Sequence, residues 1–151
     1  GTTAGTGSEV TQVSVISHGK EKRTINHPSF MPKAAVVDPL LTLSVSPFTT
    51  MITGLDAMAH ALEGFWSVHH QPIPELASAE AVRLILEKLS AAYQNGNDRE
   101  ARAALSYASL LGGLAFAHLM FWAVIFSIDA GMNRVFGVCF NCALADRVMA
   151  R

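Results

Sequence analysis

The chain has 151 residues, half of them apolar and 15% charged, with a net charge of −1 and a mean hydropathy of +0.31. That composition excludes intrinsic disorder, and 11 Lys+Arg against 12 Asp+Glu leave no basic surplus to track a nucleic-acid backbone. One domain is the natural count for this length and two small ones the limit, while two cysteines make no disulfide framework.

The first 45 residues read as turn and strand. Gly1 to Thr11 is rich in glycine and threonine, a composition that lets backbone N–H groups approach phosphate or ribose oxygens. Thr11 to Ile16 alternates polar and apolar residues, the period of a half-buried strand. Ser17 to Arg23 is polar and reads as a turn; Thr24–Asn26 and Ala34–Val37 read as further short strands. Asp38-Pro39 closes the last of these, because proline cannot donate to a ladder.

From residue 46 onward the pattern is helical. Ser46-Pro47 is a start signal, with serine as cap and proline in the first turn. A helix from Pro47 to Ser67 is expected, with a break near Gly54. A second helix, from Glu75 to Gln94, places Val82, Ile85, Leu86, Leu89 and Tyr93 on one stripe and is stopped by Asn95-Gly96. Asn97 with Glu100 resembles a capping box that opens a third helix. Ala101, Ala104, Leu105, Ala108, Leu111, Gly112 and Ala115 give that helix a narrow face suited to close approach. Ala103 to Ile128 carries no formal charge; it reads as a buried helix pair, with a membrane span as the competing interpretation.

The residues that suggest chemistry are few. Asp56 and His60 stand four apart, so a helix aims a carboxylate and an imidazole at one spot. Such a pair is half of a site for a divalent cation of intermediate softness, or an ordinary helix-surface contact. Cys139-Phe140-Asn141-Cys142 reads as two unremarkable thiols. His69-His70 reads as a solvated loop, and His18 and His27 as exposed turn residues. Position 1 is Gly, no basic stretch precedes an apolar run, and residues 146–151 look like the interior of a helix. The sequence therefore reads as a piece of a longer protein without a secretory signal.

In their order, four segments resemble the iron-containing, group III, metal-dependent alcohol dehydrogenases. They are TTAGTGSE at 2–9, AAVVDP at 34–39, GLDAMAHALEGF at 54–65 and SLLGGLAFA at 109–117. The third is the most specific, with an aspartate, a histidine four later and Glu63 three after that. The resemblance implies a mainly α chain. Residues 1–45 would be a short β-strand remnant of a dinucleotide-binding α/β domain, and 46–151 an all-helical metal-binding domain. It implies NAD or NADP and a divalent metal, Fe or Zn, acting on a small alcohol or aldehyde in the cytoplasm. Asp56 and His60 match two metal ligands. Thr2 and Thr11 match cofactor-contacting positions, Lys22 a lysine that reaches the cofactor, and Leu41 to Ser44 (Leu41, Thr42 and Leu43 foremost) the adenine-side wall. Glu63 would orient the site or cap the surface. A homo-oligomer is compatible with this picture; a membrane or nucleic-acid partner is not expected.

Three departures from the family pattern stand out. The glycine-rich pyrophosphate loop is absent, and no histidine occurs after His118. Phe126 and Phe140 stand where the two remaining histidine ligands are expected. Phenylalanine cannot bind such a cation, and His118 reads as a core histidine rather than a substitute ligand. A truncated or degenerate remnant that serves only as a helical packing module is therefore the alternative to an enzyme segment, and the chain alone is expected to be inactive and to bind metal weakly.

Overall fold

Ser46 starts the helical part of the chain: its Oγ accepts the Thr49 N–H at 3.2 Å, and Pro47 occupies the first turn, where its missing N–H costs nothing. The computed structural model describes residues 1–18, 21–66 and 71–119. It contains three helices, α1 (Pro47–Trp66), α2 (Pro72–Gln94) and α3 (Arg99–Leu119), and two strands, β1 (Val13–His18) and β2 (Glu21–Asn26). The chain is mainly α.

The strands form an antiparallel pair, with Val13 opposite Asn26 and His18 opposite Glu21. The polar stretch from Ser17 to Arg23 is therefore largely strand. Residues 19 and 20 alone separate the two strands, so pairing extends across residues whose polarity suggested a turn. The pair carries exposed Val15, Ile16 and Ile25. Residues 34–37 form no strand: they run without a ladder partner among the described residues, bracketed by Pro32 and Pro39, and Val36 is 77% exposed. Two adjacent valines supply a propensity, but a strand also needs a neighbour to pair with.

Helix α1 passes Gly54 without a break, because the glycine serves packing rather than bending. A Cβ there would meet Leu89 Cδ1 of α2 at 2.5 Å. Helix α2 begins at Pro72 rather than Glu75, with proline again in the first turn. Its buried stripe is Ala77, Ser78, Ala81, Ile85, Leu89 and Ala92. Ile85 and Leu89 face inward as the periodicity indicates, but Leu86 is exposed, because alanines line the contact with α1 and α3. On the outer face Arg83 joins Glu80 at 2.6 Å and Glu87 at 2.7 Å. The bond from Arg83 holds the Glu80 carboxyl below its ordinary range.

The cap of α3 is Asp98, not Asn97: Asp98 Oδ1 accepts the Ala101 N–H at 3.0 Å. Asn97 instead donates its N–H to Asn95 Oδ1, inside the turn between α2 and α3. The predicted small-residue face of α3 is the one that packs; Ala101, Leu105, Ala108, Gly112 and Ala115 are buried. All three helices touch one another, and the 3-10 turns at 8–10 and 39–42 lie on α3. The core is dominated by alanine: Ala57, Ala61, Ala81, Ala92, Ala101 and Ala108 surround Ile85, Leu89 and Leu105. No helix among the described residues is long and apolar enough to cross a membrane. Part of the charge-free run ending at Ile128 lies outside those residues, as do Phe126, Phe140 and the Cys139–Cys142 pair.

Candidate functional site

Asp56 and His60 lie in the middle of α1, one turn apart, and share a face as the spacing requires. His60 Nδ1 stands 4.0 Å from Asp56 Oδ2, with the two side chains 19% and 24% exposed. That separation is too long for a hydrogen bond, and Nδ1 is buried without a hydrogen-bond partner among the described residues. A buried polar atom left in this way is uncommon, and a bound ion is one arrangement that would satisfy it. Two donors at about 2.1 Å from one tetrahedral cation stand about 3.4 Å apart, so a small side-chain rotation that closes the gap would let the pair share one ion. The imidazole leans on Phe116 of α3, with ring centroids 4.9 Å apart and planes at 56°. Hydrocarbon on that side keeps water off the ring. No cluster of three or more metal-ligating side chains occurs among the described residues, so they supply two donors.

The glycine-rich turn at the start of the chain sits against both α1 and α3. Gly7 is buried at φ +57°, a conformation glycine adopts without strain, and a Cβ there would meet Gly113 Cα at 2.5 Å. A Cβ on Gly5 would meet Thr53 of α1 at 3.0 Å. Thr2 is exposed, whereas Thr11 is buried in an extended conformation. A crevice lined by Gly1, Thr3, Asp38, Thr42, Ser106 and Ser109 joins this turn to the 39–42 segment across α3. The structure thus brings the Thr2 and Thr42 regions together. Thr42 is buried and donates its hydroxyl to the Pro39 carbonyl at 2.8 Å, so that hydroxyl braces its own turn. Leu40 and Leu41 are half exposed side by side, and Leu43 is partly buried. Lys22 lies in β2, paired with Ser17 of β1. His27 is exposed and accepts the Ser29 N–H on Nδ1, and His18 ends β1, exposed. Residues 69 and 70 lie outside the described residues.

Arg102 went unremarked in the sequence, where a charged residue on a helix suggests solvent. It is 3% exposed. Its Nη1 donates to Thr50 Oγ1 at 2.7 Å, Nη2 to the Val45 carbonyl at 3.0 Å and Nε to the Gly96 carbonyl at 2.9 Å. One side chain therefore ties the start of α1, the segment behind Thr42 and the α2–α3 turn. Burial pushes the guanidinium below its usual range; it remains a cation at any ordinary pH. No local signal in the sequence marks it: Arg102 stands beside Ala101 at the edge of the small-residue face, and its three acceptors lie in other segments. Ser106, one turn further on, is buried with its hydroxyl unpartnered among the described residues.

This arrangement has counterparts among known proteins. Residues 1–39 match the model described as iron-containing alcohol dehydrogenase, and residues 50–146 match that of the Fe-containing alcohol dehydrogenase family, C-terminal. The long-chain-alcohol dehydrogenase 1 of Geobacillus thermodenitrificans is 44% identical over 115 residues, which are 76% of this chain and 29% of that protein. The NAD-dependent methanol dehydrogenase of Bacillus methanolicus is 39% identical over 117 residues, 76% of this chain and 31% of that one. Among solved structures, a sulfoacetaldehyde reductase of Bifidobacterium kashiwanohense in complex with NAD+ superposes with a TM-score of 0.81 at 40% identity, covering 93% of this chain and 38% of that one. The chain spans about a third of the length of these relatives. With a family model covering more than half of its residues, at 50–146, the chain belongs to the iron-containing alcohol dehydrogenase family.

Proposed function

We propose that this chain is the segment of an NAD(P)-linked alcohol dehydrogenase that supplies half of the metal site and one wall of the cofactor cleft. The reaction is the reversible oxidation of a small alcohol to its aldehyde: a hydride leaves the carbinol carbon for the nicotinamide ring and the hydroxyl proton passes to solvent. The observation that carries this reading is Nδ1 of His60, buried with no hydrogen-bond partner among the described residues and facing the Asp56 carboxylate. Asp56 supplies negative charge and His60 a neutral nitrogen, a donor set that suits Fe or Zn. A divalent cation held there supplies Lewis acidity that lowers the pKa of an alcohol oxygen. Phe116 shields the imidazole from water. The Thr2–Thr11 turn would offer backbone N–H groups to the cofactor, Lys22 a point charge for phosphate or ribose, and Leu41, Thr42 and Leu43 a wall for the base. Residues 1–45 are then the end of the nucleotide-binding domain and 46–151 the helical domain of a cytoplasmic enzyme.

Calorimetric titration of the chain with Zn2+ tests this. One ion per chain is expected, held weakly because two donors are in place. Asp56→Asn and His60→Ala should each weaken binding by more than the roughly 10–100-fold that loss of an outer-shell contact costs. Unchanged affinity in both variants would refute the assignment. The absence of histidine after His118 favours a second reading, a non-catalytic remnant; stoichiometric metal together with NAD(P)-linked alcohol oxidation would exclude it.

A further inference from the structure

The two adjacent glycines of α3 face different elements. A Cβ on Gly112 would meet the Ala57 carbonyl oxygen of α1 at 3.1 Å, Ala61 N at 3.7 Å and His60 Cβ at 3.8 Å. A Cβ on Gly113 would meet the Gly7 carbonyl oxygen at 2.6 Å and Gly7 Cα at 2.7 Å. One glycine therefore sets how near α3 lies to the Asp56–His60 turn, and the next sets how near it lies to the N-terminal turn. Every limiting atom on the Gly113 side is backbone, which cannot rotate away as a side-chain tip can. The N-terminal turn is tied separately to α1, where Gly5 abuts Thr53, three residues before Asp56. Three glycine contacts thus close a triangle among the turn, α1 and α3. On the α3 side of that triangle lies Ser106, whose buried hydroxyl, without a partner among the described residues, lines the crevice beside Thr3 and Thr42.

We infer that Gly112 and Gly113 are positioning residues that fix the spacing between the metal-binding turn of α1 and the cofactor turn at 1–11. The inference rests on the functional reading above. Hydride transfer needs reacting atoms about 3–3.5 Å apart, and a 1 Å misplacement can cost on the order of 100-fold in rate. A methyl group at either glycine shifts one partner and spares the other. Adding it at Gly112 moves α3 from α1, while the turn keeps its seat on Thr53. Adding it at Gly113 lifts the turn, while Gly112 stays on Ala57. Glycines that served packing alone would, when filled, loosen the bundle as a whole.

The test is Gly112→Ala and Gly113→Ala in the full chain, read by amide hydrogen exchange and by Co2+ titration followed in the visible spectrum. For Gly112→Ala, exchange over 55–61 should rise and Co2+ affinity fall, each roughly tenfold as overpacking predicts, with exchange over 1–11 unchanged. For Gly113→Ala, exchange over 1–11 should rise by a similar factor, with exchange over 55–61 and Co2+ affinity unchanged. Either variant loosening both segments alike, or failing to loosen its own, overturns the inference. If Gly113→Ala does not fold, the Gly112→Ala arm decides on the same criterion. A wild-type chain that takes up no Co2+ refutes the metal assignment, whereas the exchange pattern still decides the spacer role.

Discussion

Replacing Arg102 with methionine removes three hydrogen bonds and a buried charge while keeping most of the side-chain length. Bonds from a charged donor contribute about 1.5–3 kcal/mol each. The three to Gly96, Val45 and Thr50 therefore stabilise the fold by roughly 4–9 kcal/mol before desolvation is counted. Against this stands the cost of keeping a guanidinium out of water, several kcal/mol for a buried ion. The net loss for Arg102→Met is expected at about 2–4 kcal/mol, or a melting temperature lower by roughly 5–12 °C for a chain of this size. Arg102→Lys is the sharper variant. A single ammonium cannot reach three acceptors on three elements, yet its charge stays buried, so lysine should restore nothing over methionine. Urea unfolding followed by circular dichroism gives both numbers. A methionine variant within about 0.5 kcal/mol of wild type, or full rescue by lysine, would refute the view that the planar fork is what matters.

Gly54→Ala should destabilise by about 1 kcal/mol, the low end of overpacking, because the atom it meets is the tip of the Leu89 side chain, which can turn aside. In a Leu89→Ala background the same change should stabilise by up to about 1 kcal/mol, as alanine does in an open helix; a double-mutant cycle in urea without that reversal would count against the contact. The Glu80 carboxyl, held low by the bond from Arg83, contributes stability above the ordinary glutamate range and loses it as pH falls through the lowered value. In Arg83→Gln, an NMR titration should show the Glu80 midpoint rising, and an unmoved midpoint would contradict the pairing. Phe126→His with Phe140→His should tighten Zn2+ binding at least about tenfold, because four ligands complete a tetrahedral set; no gain would mean that the family pattern is misplaced over the tail.

Local rules read the helices well because their signals are local. Ser46-Pro47 and the alanine face of α3 needed only neighbours within a few residues. The errors lie where the answer came from elsewhere in the chain. Residues 34–37 have strand composition and no partner. Leu86 has the right period and the wrong phase, since the position of α2 against two helices decides which stripe is covered. Gly54 looked like a breaker because sequence shows its helix propensity and not Leu89. Asn97 and Asp98 are both good caps, and the turn chose the second. In the candidate site, the Asp56–His60 geometry followed from spacing alone. The burial of Arg102 and the meeting of Gly7 with Gly113 join residues about 50 to 100 apart in sequence, distances at which periodicity carries no information. The metal and cofactor roles came from family resemblance.

The alanine and glycine seams between the helices reverse the usual hazard of a protein interior. In most cores the damaging replacement leaves a hole. Here the smallest side chains already occupy the closest approaches: atoms added at Gly112 or Gly113 run into backbone, and atoms added at Gly54 or Gly64 run into side chains of α2. Such an interior has little room for mutational drift: helix surfaces can diversify freely while the seams admit few alternatives.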